Sequence, residues 1–302
     1  MSTLCLDAIH RCQYRFIGAQ LYEQSGARSP SEFARHCDQL DYPHLYAAPN
    51  VAGEREPRSP NRKWLNLLED GSTTHADSLN RVAAVYAEIY VVRDHPLWEV
   101  LTWDSDNNEA PAIYLEQLKP HCRALERSSY RCRTNARMKW ALGVPDWTNL
   151  ALPLALLSDS TPGHHPQQRW LHTYFSHYLT LASLSPTYRH CFPDLWALID
   201  QWLQARGLGG DGLPLKWPVD AGTFKYQQAL HQLARKELMD RGWLPEADLP
   251  TACALAMLWS LHLGGTHLSE QLARSHSRGG RRCPAALRHL MRDLDPRLNV
   301  AV

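Results

Sequence analysis

Long apolar runs are missing from this 302-residue chain. The longest, Ala252 to Leu261, falls well short of the ~20 residues a helix needs to cross a bilayer, so no membrane partner is expected. Cysteine occurs at positions 5, 12, 37, 122, 132, 191, 253 and 283, but never as a Cys-x-x-Cys pair. The start, MSTLCLDAIHRCQYRF, has no apolar h-region. Scattered reduced thiols in a cytoplasmic chain are the simple expectation. An excess of charge of one sign is also missing, with 32 lysines and arginines against 31 acids. A net charge of +1 and a pI near 7.7 argue against a sequence-independent coat for nucleic acid, although a local basic patch remains compatible. Phenylalanine is sparse, with five residues against eleven tryptophans. Each indole can bury roughly 150–250 Å², so the tryptophans point to firm packing. Strand-like alternation is rare, with Val91-Val92 a short exception, and there is no internal repeat, heptad or low-complexity tract.

Catalytic and cofactor motifs are absent as well. Gly207–Gly212 lacks the Gly-Lys-Ser/Thr ending of a phosphate loop and leads into Pro214 and Pro218, so nucleotide binding is not expected there. The dipeptides His36-Cys37, His121-Cys122 and His190-Cys191 do not make a zinc site on their own. Adjacent helical residues diverge by about 100°, and zinc needs about four converging ligands. His164, His165, His172 and His177 lie near Trp170 and Tyr174 but have no acidic partner or nucleophile nearby. The expectations are therefore no metal, no cofactor and no enzymatic activity. A deep pocket joining His172 and His177 to a carboxylate would favour an enzyme instead.

What is present reads as helix. Apolar residues make up 44% and charged residues 21%, a globular balance. Residues 4–24 carry apolar positions at helical spacing. Ser29-Pro30-Ser31-Glu32 has a cap, a first-turn proline and the acid of a capping box. Helix is then predicted over Arg62–Glu69, His75–Tyr90, 111–143, 167–183, 193–206, 223–241, 248–263, 266–276 and 284–294. Between the first two of these, Gly71 fits a left-handed C-cap and Thr73 or Thr74 an N-cap. Polar breaks fall at Asp104–Glu109 and Ser158–Pro166. The expected fold is all-α. An N-terminal helix-turn-helix-like domain would span residues 1–105, a basic helical connector 106–160 and a larger helical domain 161–302.

The segment Pro60–Trp98 carries the functional reading. Reading DNA with a helix requires exposed polar and basic side chains, a tight turn and apolar faces that hold the helices rigid. Arg62 and Lys63 begin the candidate recognition helix, with Arg58 just upstream. Asn61, Arg62 and Asn66 can reach base edges or phosphates. Trp64, Leu65, Leu67 and Leu68 supply the buried side, and Leu79, Val82, Ala83 and Tyr86 repeat as a core stripe. With Glu69-Asp70-Gly71 as the turn and Leu79-Asn80-Arg81-Val82-Ala83 as the following helix, the segment resembles the lambda-repressor and Cro-like helix-turn-helix family. Phe33-Ala34 would stand for the apolar-Ala pair of the preceding helix. The chain departs from that pattern in the long span from Asp38 to Pro60 and in His75, where proline is common.

The resemblance implies a DNA-binding transcriptional regulator or DNA-associated accessory protein. It would act as a homo-oligomer, because one helix reads too few base pairs for useful specificity. A second basic ridge, Arg123, Arg127 and Arg131, recurs every four residues and can contact phosphates. The tail from Arg274 to Arg297 is also basic. Two alternatives remain open: an ordinary helical hairpin with a solvated face, and a helical protein-interaction subunit of a larger assembly without direct base contacts.

Overall fold

The structure is a computed structural model, and it describes residues 5–46, 62–72, 74–104, 109–117, 138, 141–160, 165–208, 215, 217, 220–240 and 259. The fold is all-α, with no strand among the described residues. No helix among them is long and apolar enough to cross a membrane. The chain divides into two compact units. The first comprises Met1–Trp103 with Pro186–Trp202, and the second Asp104–Ser185 with Leu203–Val302. Both units are discontinuous in sequence.

In the first unit, α1 (Leu6–Ser25) is the central rod. Around it lie α2 (Pro30–Asp41), the short α3 (Pro43–Tyr46), α4 (Arg62–Asp70), α5 (Ala76–Ala83), α6 (Glu88–Arg93) and α7 (Pro96–Thr102). The start of α2 follows its sequence signal. Ser29 Oγ accepts from the Glu32 N–H at 3.2 Å, while the Glu32 carboxylate reaches back to the Arg28 N–H at 2.8 Å. That is one residue further upstream than a standard capping box would reach.

Two glycines mark close approaches of the backbone. Gly18 of α1 lies against the α4 backbone, and a Cβ there would stand 2.9 Å from the Leu67 carbonyl oxygen. Gly71 ends α4 with φ +67, as the sequence predicts, and a Cβ there would stand 2.0 Å from the Arg11 carbonyl oxygen. The α4–Gly71 corner is thus pressed directly onto α1.

The continuous helix predicted over His75–Tyr90 is instead broken into α5 and α6 by a turn at Ala84–Ala87. His75, rather than a threonine, occupies the N-cap of α5, and its side chain makes no capping bond. Val91-Val92 sits within α6. His95 caps α7 by accepting from the Leu97 N–H at 3.2 Å, with Pro96 at the first helical position.

The core of this unit closes through the distant segment 186–202. Phe16 meets Trp98 edge-on at 5.5 Å, stacks on Tyr188 at 5.0 Å and touches Phe192 at 5.9 Å. Trp202 donates to the Val100 carbonyl at 3.1 Å. These rings lie within the ~4.5–7 Å range over which aromatic pairs attract.

The second unit contains α8 (Glu109–Gln117), a 3₁₀ turn at Trp147–Asn149, α9 (Ala151–Ser158), α10 (His165–Ala182) and α12 (Ala221–Asp240). Between α10 and α12 in sequence, α11 (Phe192–Ala205) begins in the first unit and ends in the second. Buried Tyr178 donates to the Leu142 carbonyl at 2.8 Å. Gln228 of α12 is buried and satisfied by the Ser183 carbonyl at 3.1 Å.

Candidate functional site

Lys63, the centre of the recognition-helix expectation, faces inward. It lies in the first turn of α4, whose Trp64 and Leu67 are fully buried against α1 and α2. Its ammonium pairs with the carboxylate of Asp41, the last residue of α2, whose side chain is 0% exposed against 19% for Lys63. It also donates to Ser78 Oγ at 3.1 Å and to the Tyr42 hydroxyl at 3.4 Å. The ammonium stands 4.8 Å from the Tyr42 ring centroid and 5.1 Å from that of Trp64, which adds cation–π attraction.

Asp41 binds a second cation. Arg81 of α5 donates Nε–H to Asp41 Oδ1 at 2.7 Å and lies 2.6 Å from the same atom through Nη2. Beside it, the Trp64 indole N–H donates to buried Asp38 at 3.1 Å. Burial alone would push the Asp41 carboxyl up. The hydrogen bonds from Lys63, Arg81 and Ser78 outweigh burial and hold it below the ordinary carboxylate value. One buried carboxylate thereby ties α2, α4 and α5 together.

Of the other expected contact residues, neither Arg62 nor Asn66 joins this cluster. Arg62 is exposed. Asn66 is half-buried, and its carbonyl accepts from the Ser72 N–H at 3.3 Å. Arg58, Asn61, Arg123, Arg127 and Arg131 lie outside the described residues, as does the basic tail. Asp41, Ser78 and Arg81, which decide the fate of Lys63, were not picked out as site residues. Two acids, Asp38 and Asp41, in the last turn of α2 with no basic residue there are unfavourable against the helix dipole, a sequence signal that would have marked Asp41 but not Ser78 or Arg81.

The histidine and cysteine motifs resolve differently. Cys37 and Cys191 are buried, and burial raises both thiols, Cys191 to about 12. His36 and the Tyr86 hydroxyl are 2.5 Å apart. His172 is half-buried, and burial pushes its imidazole below the ordinary value. In the second unit, His177 lies 4.8 Å from His231 and stacks on Trp259 at 6.2 Å between ring centroids.

The first unit also holds a cleft of about 550 Å³ between α1, the C-terminal end of α4 and the start of α11. Its floor is Ala8, Cys12, Ala197 and Leu198, and its rim includes Arg11, Arg15, Glu69, Asp70, Asp194 and Gln201. Arg15 pairs with Asp194 and donates to the His190 carbonyl at 3.2 Å. Among the described residues, no hydrogen bond or ion pair engages Arg11, Glu69 or Asp70 through its side chain.

No protein family, curated protein or solved structure matches this chain.

Proposed function

We propose that this chain is a helical protein-interaction subunit, docking to another protein through its first unit and making no direct contact with DNA base edges. The observation that carries this is the engagement of Lys63. A helix that reads a groove must present its cationic tips to phosphates and base edges. Here the ammonium is held by Asp41, Ser78 and Tyr42, and withdrawing it would leave a buried carboxylate short of one counter-charge. Among the described residues, Trp64, Trp98, Trp103, Trp147, Trp170, Trp196, Trp202 and Trp259 are buried and serve the interior. The surface feature that supports partner binding is the charged-rim cleft of the first unit.

DNA reading is the alternative, favoured by the exposed Arg62. A gel-shift titration at low salt with random-sequence duplex separates the two. Wild type and Arg62→Ala/Lys63→Met are expected to show the same weak, non-saturating behaviour. Tight, saturable, salt-sensitive binding by wild type would overturn the interaction reading, whatever the double variant does.

A further inference from the structure

We infer that the cleft between α1, α4 and α11 docks a short segment of a partner polypeptide carrying a basic side chain, which sits against Glu69 and Asp70. This rests on the interaction reading above and names its site and the chemistry of its ligand.

The walls come from two helical stripes. Ala8, Arg11, Cys12 and Arg15 recur on one face of α1, and Asp194, Ala197, Leu198 and Gln201 on one face of α11. The span from Asp194 to Gln201 is about 10 Å at the helical rise, room for roughly three residues of extended chain. The floor is apolar, with Cys12 2% and Leu198 4% exposed, so a small apolar side chain can lie on it without stranding a polar group.

Charge selects the occupant. Arg15 and Asp194 neutralise each other across the cleft. That leaves Arg11 against Glu69 and Asp70, a formal excess of one negative charge. Both acids stand at the C-terminal end of α4, whose last turn has no basic residue. The helix dipole places roughly half a negative charge at that end, so the two carboxylates add to an already negative pole. An incoming ammonium or guanidinium relieves this, and Arg11 is left to face a backbone carbonyl or an acidic neighbour in the same segment. The rim thus complements a basic segment and opposes an acidic one.

The test uses the full chain and two fluorescein-labelled pentapeptides, Ac-Gly-Ala-Lys-Ala-Gly and Ac-Gly-Ala-Glu-Ala-Gly, followed by anisotropy at low salt. The lysine peptide is expected to bind saturably and at least fivefold more tightly than the glutamate peptide. Glu69→Gln/Asp70→Asn should weaken it at least fivefold without lowering the melting temperature. Ala197→Trp, which fills the floor, should weaken it independently of charge. Equal binding of the two peptides, no saturable binding, or equal competition by N-acetyl-lysine amide alone would overturn the proposal, the last by showing a site for a free cation. Failure here with no DNA binding in the gel shift removes this site but leaves the interaction reading. Tight DNA binding removes that reading whatever the peptides do.

Discussion

Replacing Asp41 with asparagine should be among the most damaging polar substitutions in the first unit. The change keeps shape but removes the charge that faces both Lys63 and Arg81. Breaking a buried ion pair by removing one partner costs about 3–5 kcal/mol. Arg81 is 46% exposed and can turn to water, whereas Lys63 is 19% exposed and cannot. The expected loss therefore sits at the lower end, about 3 kcal/mol. Lys63→Met keeps the apolar stem and leaves Arg81 to face Asp41, so its cost should be roughly 1.5–2 kcal/mol, the scale of a charged hydrogen bond. The double variant Asp41→Asn/Lys63→Met should lose less than the sum of the two singles, by about 1–2 kcal/mol, because each single strands the group the other removes. Urea unfolding followed by far-UV circular dichroism and tryptophan fluorescence gives the midpoints, and fitted m-values show whether the transitions remain comparable. For a 302-residue chain that unfolds as one unit, about 3 kcal/mol corresponds to roughly 5 °C in melting temperature. Strictly additive losses, or a Lys63→Met variant as stable as wild type, would mean that Lys63 is not bound to Asp41 in solution, and the argument against groove reading would fall with it.

Three further outcomes are expected. Because the folded Asp41 carboxyl lies below its ordinary value of 3.8, its contribution to stability is present above that pH and disappears as pH falls through the folded value; acid titration of wild type against Asp41→Asn should show the two stabilities converging. Gly71→Ala combines a left-handed backbone with a Cβ 2.0 Å from the Arg11 carbonyl oxygen; thermal melts should register a loss of more than the ~1–2 kcal/mol of the backbone term alone, and a near-neutral effect would contradict the close α1–α4 corner. Ser29→Ala should cost about 1 kcal/mol through loss of the α2 cap, with Ser29→Thr restoring most of it in the same melts.

The sequence was most informative where a signal acts over a few residues. Ser29, Pro30 and Glu32 mark the start of α2, and Gly71 marks the end of α4, because caps and left-handed turns are satisfied by neighbouring backbone atoms. The spacing of Trp64 and Leu67 likewise marked a buried face on α4. The break between α5 and α6 was hidden, since the apolar stripe of Leu79, Val82, Ala83 and Tyr86 continues across it. Helix α9 was passed over because Ala151–Ser158 is apolar nearly all round and has no helical periodicity to detect.

What the chain by itself determined was the helical class and those helix ends that carry a local signal, such as the start of α2 and the end of α4, because these are settled by hydrogen bonds and side-chain spacing within a few turns. Tertiary packing decided which face of each helix meets which partner. It drew residues 186–202 back onto the first hundred residues around Phe16. It also brought Asp41 and Arg81 to Lys63 from two other helices. A lysine's charge is legible in one letter, but whether that charge faces water or a buried carboxylate depends on residues brought near only by folding.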